Sequence, residues 1–236
     1  MAIDSGITWT DDTLNPWIGC TKVSPACDAC YAEDMMDRRY HRVVWGKPGA
    51  GAGTRVQTKH WRSEIRKSER EAVAQWKVTG QPRFVFCLSL GDIFDNQVPA
   101  EWRRDVFEEI RKAPHCVFLL LTKRPQNIVR LFEEITEKDQ EHDALSDYWP
   151  PNAAIGCTAV TQEEADRDVP VLLEAKRILG PTFAFLSIEP MLGPIDLFKA
   201  GAFRYPSHRS VNWVITGGES DQGAFKARPA HPQWFR

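Results

Sequence analysis

The sequence predicts an α/β fold in which one parallel sheet forms the core. Three observations support this prediction. Five short apolar runs rich in β-forming residues recur after residue 80, helical spacing of apolar residues separates most of them, and the runs are continuous. Continuous apolar strands are typical of sheets covered on both faces, and strand–helix alternation is typical of parallel sheets. The alternation fits either a barrel or a doubly wound sheet.

A sixth strand is expected just before a cluster of cysteines, with a helix after that cluster. The predicted strands cover residues 14–19, 84–90, 116–122, 154–159, 182–188 and 212–217. The predicted helices cover residues 32–43, 127–135 and 162–178, together with one that begins near Pro99. We expect one domain, 1–236, because 236 residues with 42% hydrophobic content can bury one large core.

Three segments depart from this alternation. Residues 46–60 form a Gly-rich stretch that is expected to be a loop, and no Gly-Lys-Ser/Thr follows to make it a phosphate-binding loop. Residues 136–152 are polar and end in two prolines, which predicts a surface insertion. The chain stops at Arg236 within what reads as the start of a helix, so the last α/β unit is expected to be absent.

Composition excludes several classes of protein. The net charge of −2 excludes a chain that binds nucleic acid through its overall charge, although residues 62–70 are locally basic. No apolar run of about 18 residues occurs, so no membrane span is expected. The N-terminus lacks the basic and apolar regions of a secretory signal, and we therefore expect a cytoplasmic protein.

Disulfides are rare in the cytoplasm, so the six cysteines predict metal ligands and core residues. Cys87, Cys116 and Cys157 lie in or beside apolar runs and are expected to be buried in the core. The other three follow the spacing C-x6-C-x2-C and precede a predicted helix: Cys20, Cys27 and Cys30.

Three thiolates suit either a [4Fe–4S] cluster with one open iron or a zinc site that takes a fourth ligand from elsewhere. The nearest candidates for a fourth zinc ligand, His41 and His60, do not belong to a paired His motif. Plain core or redox cysteines are the third reading. An open iron can bind the amino and carboxylate groups of S-adenosylmethionine, and an electron from the cluster then cleaves the sulfonium bond to give a 5′-deoxyadenosyl radical.

The cysteine motif with its Cys-Tyr-Ala tail, followed by five β/α units, resembles the radical S-adenosylmethionine (radical SAM) superfamily. The sequence is most similar to a group of phage and prophage proteins that share a three-cysteine motif and are largely of unassigned function. The segments that carry this resemblance are 15–20, 121–125, 187–190, 217–220 and 228–232. The superfamily commonly has the spacing C-x3-C-x2-C, whereas six residues separate Cys20 from Cys27 here.

The resemblance implies a partial (β/α)6 TIM-like barrel of radical SAM type. It also implies a [4Fe–4S] cluster on Cys20, Cys27 and Cys30, S-adenosylmethionine as cofactor, and an electron donor such as ferredoxin or flavodoxin. The superfamily usually has a Gly-Gly-Glu segment after the second strand, which binds the methionine amino group. Ser89, Gly91 and Asp92 occupy the corresponding position and are similar to it.

The ends of the predicted strands carry further candidates, because enzymes with parallel sheets keep their chemistry at the carboxyl ends of the strands. We predict catalytic roles for Lys123, Glu189 and Glu219. A carboxylate directly after an apolar strand, as at Glu189, is seldom needed for structure. The residues predicted to bind the cofactor are Ser89, Gly91, Asp92, Thr158, Ser187, Gly217 and Gly218.

These observations favour an iron–sulfur enzyme of radical SAM type acting on an unidentified substrate. The basic residues Lys123, Arg124 and Arg228 suit a phosphate or carboxylate, and a phage protein suggests a nucleotide or nucleic acid. Two alternatives stay open. One is a zinc- or cluster-binding barrel that binds nucleic acid without catalysis, and the other is a cluster protein for repair or electron transfer that does not use S-adenosylmethionine.

Overall fold

The computed structural model describes residues 4–137, 143–204, 206–222 and 225–235. The strands are β1 Asp12–Leu14, β2 Trp17–Ile18, β3 Trp45–Lys47, β4 Gly51–Gly53, β5 Val56–Gln57, β6 Arg83–Cys87, β7 Cys116–Thr122, β8 Ala153–Thr158, β9 Ala184–Ile188 and β10 Trp213–Thr216. The α-helices are α1 Tyr31–Glu33, α2 Trp61–Thr79, α3 Ala100–Arg111, α4 Ile128–Glu133, α5 Leu145–Tyr148 and α6 Gln162–Leu179. A π-helix covers Asp34–Arg39, and 3-10 turns cover Pro25–Cys27, Pro125–Asn127, Ser207–Arg209 and Pro232–Phe235.

Six strands form one sheet in the order β1-β6-β7-β8-β9-β10, and every neighbouring pair is parallel. This confirms the α/β class and the parallel sheet. The prediction of a partial TIM-like barrel is wrong: within the described residues the sheet is open, because β1 and β10 do not pair with each other. An apolar strand pattern shows that both faces are covered, but it does not encode the strand tilt and stagger that close a barrel.

One face of the sheet packs against the helices. Alternate strand residues such as Leu120, Ile155 and Leu186 share a core with apolar residues of α2, α3, α4 and α6. Cys87, Cys116 and Cys157 belong to this core and are fully buried, as predicted. Burial of this face removes most of the apolar strand surface from water and is the main source of stability for the sheet.

The opposite face carries a second, largely aromatic core. It consists of Leu119, Ala154, Phe185 and Ile215, with Trp9, Phe84, Val117, Leu121, Phe183 and Trp213 packed against them. The rings of Phe84 and Trp213 lie 6.1 Å apart, although their strands β6 and β10 are four positions apart in the sheet. A flat sheet would separate them by about 19 Å. The sheet is therefore strongly curved, and the aromatic core lies in its concave side.

A buried ion pair fixes the first strand to its neighbour. The carboxylate of Asp12 accepts hydrogen bonds from Arg83 Nε and Nη2, each at 2.8 Å, and from Ser68 Oγ of α2 at 2.7 Å. Burial acts to raise the pKa of Asp12, but these donors outweigh it and lower the pKa below its usual value. Every partner of this carboxylate comes from the protein, so the pair is structural.

The Gly-rich segment is not an irregular loop, which corrects the prediction for 46–60. β3 and β4 form an antiparallel hairpin, and β5 pairs with β2. A Cβ atom on Gly46 would collide with the carbonyl oxygen of Ala52 and with Thr21 Oγ1, so glycine is needed for the close approach of the two strands. The sequence signal was misleading because glycine is normally rare inside strands.

Two other predictions need partial correction. The helix expected over 32–43 is shorter and continues from α1 as the π-helix Asp34–Arg39. Within the segment 136–152, residues 138–142 lie outside the described residues, while α5 and the buried Trp149 join the main core. This part of the segment is thus not purely a surface insertion. No helix in the described part of the chain is long and apolar enough to cross a membrane.

Candidate functional site

A cavity of about 410 Å³ opens at the carboxyl edge of the sheet. This volume lies within the range of small-molecule sites in proteins. Every residue predicted for the site lines the cavity except Gly217, which lies directly behind Glu189. The structure therefore brings the predicted residues together, because carboxyl ends of parallel strands meet along one edge of the sheet.

The three cysteines reach this cavity from the loop that follows β2. Ser24 caps the 3-10 turn Pro25–Cys27 by accepting a hydrogen bond from the Ala26 N–H at 3.1 Å, and this turn positions Cys27. Cys30 precedes α1, and the backbone N–H groups of Ala32 and Glu33 point to its sulfur. All three cysteines line the cavity.

The thiols lie in an environment with little water. Burial raises the pKa of the Cys20 thiol to about 12 and also raises that of Cys30. Lys123 lies among the three cysteines. Burial acts to lower its pKa, but the negative charges of Cys27, Cys30, Asp92 and Cys20 outweigh burial and raise the pKa above its usual value. The positive charge of Lys123 therefore interacts electrostatically with all three cysteines.

Arg124 holds the first cysteine and is nearly fully buried. Its Nη1 atom lies 3.4 Å from Cys20 Sγ and 2.9 Å from Asp92 Oδ2, and its Nη2 donates to the carbonyl oxygen of Thr21 at 2.7 Å. Burial acts to lower the pKa of Arg124, but the charges of Asp92 and Cys20 raise it. The guanidinium is therefore engaged by the protein, contrary to the expectation that it would meet a substrate anion.

Asp92 is buried and already has four donors. It accepts hydrogen bonds from Thr122 Oγ1 at 2.7 Å, from the Phe94 N–H at 2.9 Å, from the Lys123 N–H at 3.1 Å and from Arg124. A carboxylate has about four acceptor positions, so none is left over for a cofactor. Asp92 lines the cavity as predicted, but its geometry is that of a residue that positions Lys123 and Arg124.

Ser89 and Gly91 flank the cavity on the loop after β6. Asn15 holds this loop: its Nδ2 donates to Ser89 Oγ at 2.8 Å, and its Oδ1 accepts from the Leu90 N–H at 2.7 Å. Tyr31, next to Cys30, donates its hydroxyl to the Ser89 carbonyl at 2.7 Å. These contacts connect the cysteine loop to the end of β6.

Glu189, Ser187 and Thr158 form the opposite side of the site. Thr158 and Ser187 are register partners on β8 and β9, so their side chains point to the same face. Thr158 Oγ1 is buried and has no hydrogen-bond partner among the described residues. Ser187 Oγ donates to Glu189 at 3.4 Å, and Trp9 donates a further hydrogen bond. Burial outweighs both donors and raises the pKa of Glu189.

Glu219 is in a different environment from Glu189, although both line the cavity. Its two carboxylate oxygens accept from Arg228 Nη2 at 2.6 Å and from Arg228 Nε at 2.9 Å. Arg228 also donates to Asp28 Oδ2 and to the Pro25 carbonyl, each at 3.0 Å. These hydrogen bonds lower the pKa of Glu219. We call this set the Arg228 clasp, since it ties the end of β10 to the cysteine loop.

Whether the three cysteines suit an iron–sulfur cluster or a zinc ion depends on the side chains around their sulfurs. Three thiolates with two neighbouring cations, Lys123 and Arg124, match an anionic cluster held by three cysteines. The two histidines considered as a fourth zinc ligand, His41 and His60, are exposed and lie outside the cavity wall. Among the described residues, no group of three or more His, Cys, Asp or Glu side chains is arranged to hold a metal ion.

Two contributors to the site were not recognised from the sequence. Trp9 lines the cavity and donates to Glu189, but it precedes the first strand and no local pattern distinguishes it from a core residue. Arg124 was noted only as a substrate contact. Its adjacency to Lys123 after a strand was the available signal, and its role depends on Cys20, which is 104 positions away in the chain.

A family model described as "Protein of unknown function (DUF5131)" matches residues 4–236. No curated protein and no solved structure matches the chain significantly. The matched region includes the cysteine loop, all six strands of the sheet and the Arg228 clasp, so the cavity lies entirely within it. The chain therefore belongs to the DUF5131 family of proteins of unknown function.

Proposed function

We propose that this protein is an iron–sulfur enzyme of radical SAM type, in which Cys20, Cys27 and Cys30 hold a [4Fe–4S] cluster. The observation that carries the proposal is that three cysteines and Lys123 line one cavity at the carboxyl edge of a parallel sheet, with Arg124 bonded to Cys20. Structural cysteines of a protein core have no need of buried cationic neighbours. Three thiolates on a cluster leave one iron without a protein ligand, which is where a small molecule can bind.

The residues around the sulfurs have separate tasks in this proposal. Arg124 donates to Cys20 Sγ and fixes the backbone of the same loop through Thr21. Lys123 supplies a second positive charge beside all three sulfurs. Asp92 accepts hydrogen bonds from the backbone N–H of Lys123 and from the guanidinium of Arg124, which fixes this segment. Buried charge is stable only when it is paired, so these residues lower the cost of holding thiolates in the cavity.

The remaining wall would bind the organic molecules. The loop at Ser89 and Gly91 lies beside the cysteine loop and is the proposed contact for the S-adenosylmethionine polar groups. Gly218 brings the backbone of the β10 end to the cavity surface. Glu189 is a carboxylate with spare acceptor capacity, which suits a catalytic or binding role, whereas Glu219 holds the Arg228 clasp.

Held by Cys20, Cys27 and Cys30, the cluster would supply the one-electron reduction that cleaves the sulfonium C–S bond of S-adenosylmethionine. The electron would come from a small iron–sulfur or flavin carrier such as ferredoxin or flavodoxin. The part that this chain plays is to bind the cofactor, to keep the cavity walled by buried side chains, and to present Glu189 to the substrate.

The proposal is tested by anaerobic purification and metal analysis. We expect about four iron per chain, absorbance near 400 nm, and loss of both in Cys27→Ala. The matched control is Cys157→Ala, which removes a thiol from the core on the other face of the sheet and should keep its iron. A colourless protein with one zinc per chain would contradict the proposal.

Cofactor use needs a second measurement on the same protein. Reduction in the presence of S-adenosylmethionine should release 5′-deoxyadenosine from the wild type and not from Cys27→Ala. Iron without 5′-deoxyadenosine would instead favour a cluster protein that does not use this cofactor.

A further inference from the structure

One carboxylate in the cavity makes no ion pair with any described residue, and this group indicates the kind of substrate. Three carboxylates line the cavity: Asp92, Glu189 and Glu219. Asp92 is paired with Arg124, and Glu219 is paired with Arg228. Glu189 makes no ion pair with any described residue and accepts only from the neutral side chains of Ser187 and Trp9.

The basic side chains at the site interact with groups other than Glu189. Among the described residues, Lys123 is the one basic side chain that lines the cavity, and it lies among the three cysteines and Asp92. Arg124 and Arg228 make their hydrogen bonds to protein groups. A phosphate or carboxylate placed against Glu189 would therefore be repelled by that carboxylate, and no described basic side chain pairs with Glu189 to offset the repulsion.

A second observation points to a ligand at the same place. Thr158 Oγ1 is buried and has no hydrogen-bond partner in the part of the chain that the structure describes. Thr158 lines the cavity and is the register neighbour of Ser187, which contacts Glu189. A buried hydroxyl without a partner costs free energy, and proteins rarely leave one unless a ligand supplies the hydrogen bond. Glu189 and Thr158 thus form two unsatisfied groups on one wall.

The absence of a side chain at Gly217 leaves room for the carboxylate of Glu189. A Cβ atom on Gly217 would lie 2.6 Å from Glu189 Oε1, so any larger residue there would displace the carboxylate. Aromatic side chains, Trp9 and Phe86, line the adjoining part of the cavity and offer an apolar surface to the rest of a ligand.

We infer that the cavity binds a substrate through a protonated nitrogen group, such as an amine, amidine or guanidine, on Glu189 and Thr158. This inference rests on the proposed function for its location within a catalytic cavity, but the charge preference is a property of this wall alone. At this wall of the cavity it replaces the expectation of a phosphate or carboxylate group. A cation with several N–H donors can bind the carboxylate and also satisfy the hydroxyl.

Three probes of the same shape and different charge test the inference: benzamidine, benzamide and benzoate. Isothermal titration calorimetry on the full chain, purified anaerobically, should show that benzamidine binds at least about tenfold more tightly than benzamide, with benzoate weakest. In Glu189→Gln, benzamidine should lose about tenfold in affinity or more, while benzamide should change by less than about twofold.

The matched control is Glu174→Gln, which removes the same charge from an exposed position on α6 and should leave all three affinities unchanged. Equal binding of benzamidine and benzamide, tighter binding of benzoate, full benzamidine binding by Glu189→Gln, or no binding of any probe would overturn the inference. Iron measured on the same samples separates the two claims. Charge preference without iron would contradict only the proposed function, and iron without charge preference would contradict only this inference.

Discussion

The ends of β9 and β10 carry the same chemical group in opposite surroundings. Glu189 follows β9 and Glu219 lies just beyond β10, and both side chains line the cavity. Arg228 donates hydrogen bonds to both oxygens of Glu219, so this carboxylate is engaged within the protein. Glu189 has only neutral donors among the described residues, so it is available to a ligand. A carboxylate at a strand end is thus a functional signal only when no cation from the protein reaches it.

The largest expected effect in this comparison concerns the Arg228 clasp. Arg228→Met would leave the buried carboxylate of Glu219 without its charged donors and should lower the free energy of unfolding by about 2 kcal/mol. The loop at Pro25 to Asp28 should also lose protection from amide hydrogen exchange, since Arg228 anchors it. Denaturant unfolding and hydrogen exchange would measure the two effects.

The control for this variant is Arg177→Met on α6. Arg177 pairs with Glu174, but both side chains are more than half exposed. An exposed ion pair contributes little, so the change should stay within about 0.5 kcal/mol. An equal effect of the two substitutions would show that the clasp is no more than a surface contact.

A smaller loss of stability is expected from substituting Gly217, the first residue after β10. Gly217→Ala places a Cβ atom 2.6 Å from Glu189 Oε1 and should destabilise the protein by about 1 kcal/mol while weakening benzamidine binding. The matched control is Gly193→Ala, because a Cβ atom there would meet nothing within 4 Å and Gly193 does not line the cavity. Identical behaviour of the two variants would argue against a role for Gly217 in placing Glu189.

The smallest effects are pH-dependent and opposite in sign. Arg228 holds the pKa of Glu219 below the ordinary value of 4.5, so this carboxylate contributes stability above that pH and loses it as the pH falls through its lowered pKa. Glu219→Gln should therefore destabilise the protein at pH 7, and the difference should shrink in acid below pH 4.5.

Burial raises the pKa of Glu189 above 4.5, so its contribution to stability is present below that pH and is lost as the pH rises through the raised pKa. Glu189→Gln should stabilise the protein at pH 7 by about 1 kcal/mol or less, with the gain vanishing as the pH falls to 4.5. Thermal unfolding between pH 3 and pH 8, about the range over which carboxyl groups titrate, would measure both variants. If the stabilities of the two variants changed with pH in the same way, the predicted difference between Glu189 and Glu219 would be wrong.

Predictions that depend on local sequence patterns agree best with the structure. The strand Cys116–Thr122 has its predicted bounds, and the other strands of the sheet after residue 80 differ from theirs by one to three residues at an end. Apolar runs and turn residues are local, so they determine where a strand begins and ends. The gathering of candidates at one cavity was predictable too, because parallel strands bring their carboxyl ends to a common edge.

By itself, then, the sequence determined the α/β class, the parallel sheet, the buried Cys87, Cys116 and Cys157, and the set of residues around the cavity. The tertiary structure decided that the sheet is open, because closure depends on tilt and register between strands that no local pattern encodes. It also decided which charges are free: Arg124 meets Cys20, and Arg228 meets Asp28, across 104 and 200 positions of chain. Tertiary packing determines which charged side chains meet. Only the folded chain therefore shows that no described basic residue pairs with Glu189.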